Sequence, residues 1–263
     1  MKGTNVEVKH YEGYLIDLDG TMYRGSEPIE GAAEFIDTLN DKGIPHLFLT
    51  NNSSSTPELV ADKLNRMAIA ATPDRIFTSS IATAKYISQQ KEGARCFVIG
   101  EDGLHTALEQ EGLILTEKQC DYVVFGIDRA IDYDKYAKAA LAIRDGATFI
   151  STNGDIAIPT ERGLLPGNGA LASVLTVSTG VEPIVIGKPE RIIMEEALNV
   201  LHVEKEKTLM VGDNFHTDIM AGMNAGVDTL LTFTGLTSYD DFLQLETKPT
   251  YHVQNLHEWI RRM

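Results

Sequence analysis

The amino-acid sequence predicts an α/β fold in which helices cover the faces of parallel sheets, and three observations support this prediction. Seven short apolar runs recur along the chain, and such runs are typical of strands that are buried on both faces. Segments with the apolar spacing of helices lie between these runs. The chain has 263 residues, of which 43% are hydrophobic and 23% charged, so it can bury one large or two medium cores.

The predicted strands are followed by polar residues, which are candidate ligand-binding groups. In chain order, these strands are residues 14–16, 46–49, 96–99, 122–125, 148–150, 184–186 and 208–211. Alternation of strands and helices implies parallel sheets, and ligands of such sheets bind beyond the carboxyl ends of the strands. The polar residues that follow the apolar runs are therefore the candidates for function.

Three helices have clear sequence signals. Apolar residues recur on one face over 32–39, and Gly43 follows as a candidate C-terminal cap. Thr56 and Pro57 supply an N-cap and a residue favoured at the first helical position. A third helical pattern follows Pro189, which we place in its first turn.

Charge and cysteine content exclude several classes of protein. The formal net charge of −15 opposes binding to nucleic acid or to an anionic membrane. Cys96 and Cys120 are too few for a disulfide framework and do not have zinc-site spacing. Residues 1–10 contain no apolar stretch of signal-peptide length, and no run approaches a membrane span. We therefore expect a cytoplasmic protein, with an acid excess that reflects either solvation or a bound cation.

The first predicted strand ends in Asp17 and Asp19, which are followed by Gly20. Residues two apart in an extended segment share a face, so both carboxylates can address one ligand, one as nucleophile or metal ligand and the other as acid and base. A solvated turn is the alternative, because Asp and Gly are common turn residues.

Two later strand ends carry groups suited to phosphate. Thr50, Asn51 and Asn52 follow the second predicted strand, and small polar side chains with free N–H groups suit phosphate oxygens, although a polar loop is the alternative. Lys188 precedes Pro189, which disfavours a helical backbone at the lysine and directs its side chain from the helix mouth. Its ammonium suits a phosphoryl group or a carboxylate, and a surface lysine is the alternative.

A second acidic strand end contains Asp213 and Asp218. Asp218 also suits the start of the following helix, which we expect to continue to Gly226. If the acidic strand ends converge, two carboxylates about 4 Å apart repel by about 4 kcal/mol at an effective dielectric constant of about 20. A cation is then required, and an all-oxygen ligand set suits Mg²⁺.

These four segments, in this order, resemble the motifs of the haloacid-dehalogenase-like phosphatase superfamily. Residues 17–21 match the first motif, Thr50 with Asn51 the second, Lys188 the third, and residues 212–213 with Asp218 the fourth. The resemblance extends from about residue 11 to about residue 235. Within the superfamily, the Thr50-Asn51-Asn52 motif and the long stretch before Gly187 resemble the p-nitrophenyl-phosphatase-like and sugar-phosphate phosphatases.

The resemblance implies a Rossmann-like parallel-sheet core domain with an inserted smaller α/β cap domain. The expected core comprises residues 1–79 and 180–263, and the expected cap comprises residues 80–179. Within the cap, residues 151–155 and 163–170 are similar to a segment of that subfamily, although Gly154 stands where relatives often have proline. We expect the glycine-rich stretch 163–170 to be a turn into the next helix.

The resemblance also implies roles for the acidic residues. Asp17 is the expected nucleophile, which forms an aspartyl-phosphate, and Asp19 is the expected acid and base. Mg²⁺ would be held by the carboxylates of Asp17 and Asp213 and by the backbone carbonyl of Asp19. Asp218 would complete the metal site by orienting its ligands or a metal-bound water.

The polar residues at the other strand ends are the expected substrate-binding groups. Thr50, the backbone of Asn51, and Lys188 would hold the phosphoryl oxygens, with Asn52 and Asn214 beside them. Positioning of this kind is the main contribution of a protein to phosphoryl transfer.

The expected substrate is a small-molecule phosphate monoester of the sugar phosphate or p-nitrophenyl phosphate type, because a cap favours small esters. Phosphoglycolate, pyridoxal phosphate and nucleotides stay open as substrates, and a phosphomutase or a phospho-accepting signalling module are less favoured alternatives. A P-loop enzyme is excluded because its glycine-lysine motif is absent. A homo-oligomer formed through the cap is compatible with the sequence.

Overall fold

The computed structural model describes residues 8–160 and 162–263, and two parallel sheets dominate it. The strands are β1 (Gly13–Ile16), β2 (Tyr23–Arg24), β3 (Glu27–Pro28), β4 (His46–Thr50), β5 (Ile76–Thr78), β6 (Arg95–Ile99), β7 (Ile114–Leu115), β8 (Tyr122–Phe125), β9 (Thr148–Ser151), β10 (Ala157–Thr160), β11 (Gly163–Pro166), β12 (Ile184–Val185), β13 (Thr208–Gly212), β14 (Asp228–Thr232) and β15 (Tyr251–Val253).

Helices connect most of these strands. They are α1 (Ala32–Asp41), α2 (Pro57–Arg66), α3 (Ser79–Gln90), α4 (Asp102–Gln110), α5 (Tyr133–Arg144), α6 (Asn168–Thr179), α7 (Arg191–Leu201), α8 (Met220–Ala225), α9 (Tyr239–Gln244) and α10 (Leu256–Ile260). A π-helical turn, Phe215–Ile219, leads directly into α8. None of the helices within residues 8–160 and 162–263 has the length and apolar composition that a bilayer crossing requires.

The larger sheet has six parallel strands in the order β15-β14-β13-β1-β4-β5. The smaller sheet has five parallel strands in the order β12-β9-β8-β6-β7. Two antiparallel hairpins, β2-β3 and β10-β11, stand apart from them. This architecture confirms the predicted parallel α/β fold with a separate smaller α/β sheet region.

All seven predicted strands are present, as β1, β4, β6, β8, β9, β12 and β13. Strands β5 and β14 lacked a prediction because their apolar runs, Ile76-Phe77 and Leu230-Leu231, are only two residues long and threonine flanks each of them. Pairing with the neighbouring strands β13 and β4 supplies hydrogen bonds that keep these segments extended.

Successive residues of the central strands enter different cores, as expected of strands buried on both faces. In β1, Tyr14 and Ile16 belong to a cluster with helices α1, α2 and α10, whereas Leu15 faces the opposite cluster. That second cluster also contains Val124 and Ile150 of the smaller sheet. A single hydrophobic core therefore includes residues of both sheets.

Two local predictions need correction. Pro189 was expected in the first turn of α7, but that helix begins at Arg191 after the N-cap Glu190. The cis bond between Lys188 and Pro189 lies before the helix, so the proline belongs to the loop. The glycine-rich stretch was expected to be a turn, but its first half, Gly163–Pro166, pairs as β11 with β10, and only its second half leads into α6.

The domain division at residues 79/80 and 179/180 stays a prediction. Residues 1–7 of the predicted core lie outside the described part of the chain. Strand β12 follows the predicted second boundary and pairs with β9 of the smaller sheet.

Candidate active site

The candidate site lies where the central strands of the larger sheet end. Strand β1 is flanked by β13 and β4, so the three loops that follow these strands meet at one edge. Asp17 follows β1 directly, is buried, and donates its backbone N–H to the carbonyl of Val211 at 2.9 Å. Gly20 then turns the chain with a φ of 92°, which supports the sharp turn that the sequence predicts.

Lys188 reaches this edge from the loop between β12 and α7. Its side chain is only 3% exposed, and its ammonium donates hydrogen bonds to Asp17, to Asp218 Oδ1 at 2.8 Å and to the carbonyl of Leu49 at 3.1 Å. All three of its hydrogens therefore have acceptors. The lysine predicted from the sequence as a phosphate or carboxylate partner lies beside the predicted nucleophile.

Asp213 completes the acidic cluster from the end of β13. Its Oδ1 accepts a hydrogen bond from the Thr21 hydroxyl at 3.0 Å, and its Oδ2 accepts one from the Leu236 backbone N–H at 2.7 Å. Thr21 also lies 3.3 Å from Asp17 Oδ2. Asp17, Asp213 and Asp218 each offer a carboxylate oxygen, and these oxygens lie within 4.8 Å of one another.

The electrostatics of this cluster favour a cation. Among the residues that the structure describes, three buried carboxylates face the ammonium of Lys188, which leaves excess negative charge. Burial raises the pKa of Asp17 well above its usual range, and the carboxylates of Asp218 and Asp213 add to this effect while Lys188 opposes it. Burial and Asp218 raise the pKa of Asp213 to about 6. A divalent cation bound to these oxygens would relieve the repulsion, so the donor set fits a hard metal ion.

Asp19 lies outside the carboxylate cluster, on the solvent-exposed side of the site. Its backbone forms an isolated bridge with Tyr23, whose ring lies 3.7 Å from the Lys63 ammonium. Partial burial raises the pKa of Asp19, and the positive charge of Lys63 acts in the opposite direction. A carboxyl group with a raised pKa suits proton donation and acceptance at the mouth of the site.

The predicted substrate-binding residues of the second loop have different environments. Thr50 is buried, and its hydroxyl oxygen accepts the N–H of Asn52 at 3.1 Å. The Asn51 side-chain amide pairs with the backbone of Lys188, with its Oδ1 accepting the lysine N–H at 2.8 Å. Asn52 is exposed, and its Oδ1 accepts the N–H of Ser54 at 2.8 Å, so its side chain shapes its own loop.

Asn214 is positioned by the acidic cluster and by the following helical turn. Its backbone N–H donates to Asp218 Oδ2 at 3.0 Å. Its side-chain Oδ1 accepts the N–H of His216 at 3.0 Å and thereby caps the π-helical turn. The backbone of Asn214 therefore contacts the acidic cluster, whereas its side-chain oxygen caps the π-helical turn.

Two residues near the site received no role from the sequence. Thr21 belongs to the first motif, but only the structure reveals that its hydroxyl lies between Asp17 and Asp213. Asp155 lies in the segment resembling the caps of relatives, and its carboxylate contacts Asn51, which is 104 positions away in sequence. The sequence shows Asp155 as an acidic residue in that segment, but only the tertiary structure shows that it contacts Asn51.

Comparison with known proteins agrees with this geometry. A model of haloacid dehalogenase-like hydrolases matches residues 14–114, and a second, described as HAD-hydrolase-like, matches residues 185–259. The chain is 60% identical over 253 residues to the 5′-nucleotidase YutF of Bacillus subtilis, which covers 96% of this chain and 99% of the relative. It is 52% identical over 257 residues to an acid sugar phosphatase of Staphylococcus aureus, covering 97% and 99% of the two chains.

A solved structure is similar to this chain over its whole length. The p-nitrophenyl phosphatase of Archaeoglobus fulgidus superimposes with a TM-score of 0.92 at 32% identity and covers 97% of this chain and 100% of the other. The matches include both the larger sheet with its acidic edge and the smaller sheet. The chain therefore belongs to the haloacid dehalogenase-like hydrolases, and within them to the phosphatases that hydrolyse phosphate monoesters.

Proposed function

We propose that this protein is a Mg²⁺-dependent phosphatase that hydrolyses small-molecule phosphate monoesters through an aspartyl-phosphate on Asp17. The observation that carries the proposal is the position of Asp17, buried at the end of the central strand and bonded to Lys188. Asp213 and Asp218 lie on the same edge. A nucleophilic carboxylate, a cation partner and a further acidic pair are the groups that this chemistry needs.

In the proposed reaction, the aspartyl-phosphate forms in the first step and is hydrolysed in the second. An oxygen of Asp17 attacks phosphorus and the ester P–O bond breaks, while the carboxyl group of Asp19 gives its proton to the departing alkoxide. Water then attacks phosphorus, Asp19 accepts a proton from that water, and the bond between phosphorus and Asp17 breaks to release phosphate. Asp19 ends the cycle protonated again, so one residue serves both steps.

Lys188, Thr50 and the Asn51 backbone hold the phosphoryl oxygens in the proposed reaction, with Asn52 and Asn214 at the edge of this group. The buried ammonium of Lys188 supports this role, because electrostatic interactions are stronger where water is excluded. Its charge stays fixed, since the carboxylates of Asp17 and Asp218 raise the pKa of Lys188 against the opposing effect of burial.

Mg²⁺ would be held by the carboxylates of Asp17 and Asp213 and by the backbone carbonyl of Asp19. When bound, it would offset negative charge on the phosphoryl group. Asp218 already accepts hydrogen bonds at both oxygens, Oδ1 from Lys188 and Oδ2 from the Asn214 N–H. Asp218 would complete the site by orienting the metal ligands or a metal-bound water.

We propose a sugar phosphate or an aryl phosphate of the p-nitrophenyl type as the substrate class, and nucleoside monophosphates as the next candidates. The similar proteins, an acid sugar phosphatase, a p-nitrophenyl phosphatase and a 5′-nucleotidase, support these classes. A cytoplasmic location is part of the same proposal. It is supported by the cysteine content, because the chain has only Cys96 and Cys120 and both are free thiols.

The test is phosphate release from a panel of these esters, ranked by kcat/KM, with wild-type protein and Asp17→Asn. We expect wild type to release phosphate with Mg²⁺, to lose activity in EDTA and to regain it with added Mg²⁺. Asn is nearly isosteric with Asp but is a poor nucleophile, so Asp17→Asn should fold and lose at least about 10³-fold in kcat.

Wild-type turnover by Asp17→Asn, or full activity in EDTA, would contradict the proposal. Isomerised product without free phosphate would indicate a phosphomutase instead. A stable phosphoprotein after incubation with a phosphodonor would indicate a signalling module.

A further inference from the structure

We propose that Asp155 is a positioning residue that holds Lys188 in place through the side-chain amide of Asn51. The inference rests on the proposed function, in which Lys188 binds the phosphoryl group. It assigns a role to the acidic residue in the segment between β9 and β10, which the reaction itself does not use.

The amide of Asn51 has a partner for each of its hydrogens and for its oxygen. Its Nδ2 donates one hydrogen bond to the Lys188 carbonyl at 2.9 Å and another to the Asp155 carboxylate, with both carboxylate oxygens at 3.2 Å. Its Oδ1 accepts the Lys188 N–H at 2.8 Å. The amide therefore pairs with the lysine backbone on one side and with Asp155 on the other.

The Asp155 carboxylate reinforces the orientation of the Asn51 amide that the Lys188 backbone also favours. A flipped amide would place Oδ1 against the carboxylate and the Lys188 carbonyl, and the NH₂ group against the Lys188 N–H, so three attractive contacts would become repulsive. Only the observed orientation satisfies every group. Without Asp155, one N–H loses its acceptor and the amide is held by the Lys188 backbone alone.

The position of the lysine backbone determines where its ammonium lies. The Lys188 side chain is buried and bonded to Asp17, Asp218 and the Leu49 carbonyl, so a shift of its loop must displace these contacts. The backbone of the neighbouring Gly187 packs closely against the Asn51 side chain, because an added Cβ there would lie 2.6 Å from Asn51 Oδ1. Displacements of about 1 Å in positioning groups can cost about 100-fold in rate.

The segment that carries Asp155 is itself held against Asn51. Asn153 Nδ2 donates to the Asn51 carbonyl at 2.8 Å, and Asn153 Oδ1 accepts the Asp155 N–H at 3.1 Å. The Asp155 carbonyl accepts the N–H of Gly169, at the start of α6, at 2.8 Å. The carboxylate is thus fixed on a rigid support, as a positioning group requires.

The experiment compares Asp155→Ala, Asp155→Asn, Asn51→Ala and the double variant with Asp155→Ala and Asn51→Ala. Glu182→Gln, a change of an exposed acidic residue in the loop before β12, is the matched control. For each protein, kcat/KM is measured on p-nitrophenyl phosphate and on a sugar phosphate, together with inhibition by inorganic phosphate. The thermal unfolding midpoint reports whether each variant is folded.

We expect Asp155→Ala to lose about 10- to 100-fold in kcat/KM, by the same factor on both esters, and to bind inorganic phosphate about 10-fold more weakly. Asp155→Asn should retain more activity, because its carbonyl oxygen can still accept from Asn51. In the Asn51→Ala background, Asp155→Ala should change kcat/KM by no more than about twofold. Glu182→Gln should behave as wild type.

Three results would overturn the inference. The first is wild-type kinetics for a folded Asp155→Ala. The second is an effect of Asp155→Ala that is undiminished when Asn51 is alanine. The third is a loss that depends on the leaving group while phosphate inhibition is unchanged, because Asp155 would then contact the substrate. All are measured relative to active wild type, so they are distinct from failure of the phosphatase proposal, in which wild type releases no phosphate.

Discussion

Lys188 connects the parts of the site, since its ammonium is bonded to two carboxylates while its backbone pairs with Asn51. A buried charge without a partner is strongly destabilising, so the lysine and the acids depend on each other. Removal of Lys188 would leave three carboxylates facing one another with no ammonium between them. The same charge would thus serve both folding and the proposed phosphate binding.

His46 is a buried titratable residue outside the acidic cluster, at the start of β4. Its Nδ1 lies 3.1 Å from Arg75 Nη1 and 3.3 Å from the Ile44 carbonyl, and its ring packs edge-on against Phe48. Burial, together with the charge of Arg75, lowers its pKa to about 4. The folded protein therefore holds this imidazole neutral at pH values where the unfolded chain protonates it.

Acidification should destabilise the protein through His46. Its contribution is complete above the unfolded pKa of about 6.5 and is lost as the pH falls from there towards the folded value of about 4. We expect His46→Gln to remove about 2 kcal/mol of the stability difference between pH 7 and pH 4.5, measured by urea unfolding. The exposed His10→Gln is the control and should keep the wild-type slope. Equal slopes for His46→Gln and wild type would contradict the pKa assignment.

At the scale of elements, the left-handed cap at the end of α6 directs the chain into the next strand. Helix α6 ends at Thr179, and its C-cap Gly180 has a φ of 74° and donates its N–H to the Thr176 carbonyl at 2.8 Å. Left-handed backbone of this kind costs little for glycine and more for residues with a Cβ. The turn that follows leads the chain into β12 and towards Lys188.

Gly180→Ala should lower the free energy of unfolding by about 1 kcal/mol, through backbone strain alone. In the described part of the chain, no atom beyond the adjacent residues lies within 4 Å of a Cβ built at Gly180, so contacts with other residues contribute nothing. Gly154→Ala is the matched control, because Gly154 is not left-handed and its nearest neighbouring atom would be 3.8 Å away. Denaturant unfolding of both variants gives the comparison, and equal effects would show that backbone conformation is not the cause.

At the scale of the whole molecule, the two sheets share a hydrophobic core. Leu15 and Leu47 of the larger sheet belong to the same cluster as Val124 and Ile150 of the smaller one. Helices α3, α4 and α7 also contribute to this cluster. Because loss of this core exposes apolar surface of both sheets, we expect them to unfold together.

A core substitution in the smaller sheet should therefore be detected in the larger one. Ile150→Ala should cost about 3 kcal/mol by creating a cavity. Trp259, the single tryptophan, is fully buried against the larger sheet and reports its unfolding by fluorescence. For Ile150→Ala, we expect the thermal midpoints from Trp259 fluorescence and from far-UV circular dichroism to fall by the same amount. The exposed Leu141→Ala is the control and should leave both midpoints unchanged. A separate early transition that leaves Trp259 unaffected would contradict a shared core.

Local patterns were sufficient for the strands that are long and apolar and for the identity of the acidic strand ends. They were insufficient to predict β5 and to place Pro189 relative to the start of α7. A two-residue apolar run and a proline near a helix start each fit several local structures. Asp155 and Thr21 were visible as polar residues without partners. Each acquires a role only beside a residue from another loop.

The order of residue types along the chain determined the parallel α/β fold, the acidic first motif and the expectation of phosphate chemistry, since periodicity and strand-end polarity are local properties. Only the tertiary structure decided that Lys188 bonds to Asp17 across 171 positions and that Asp155 meets Asn51. The reason is that strand order places β1 between β13 and β4 and so decides which loops meet. Pairing between strands is non-local, and the sequence of one strand does not specify its neighbours.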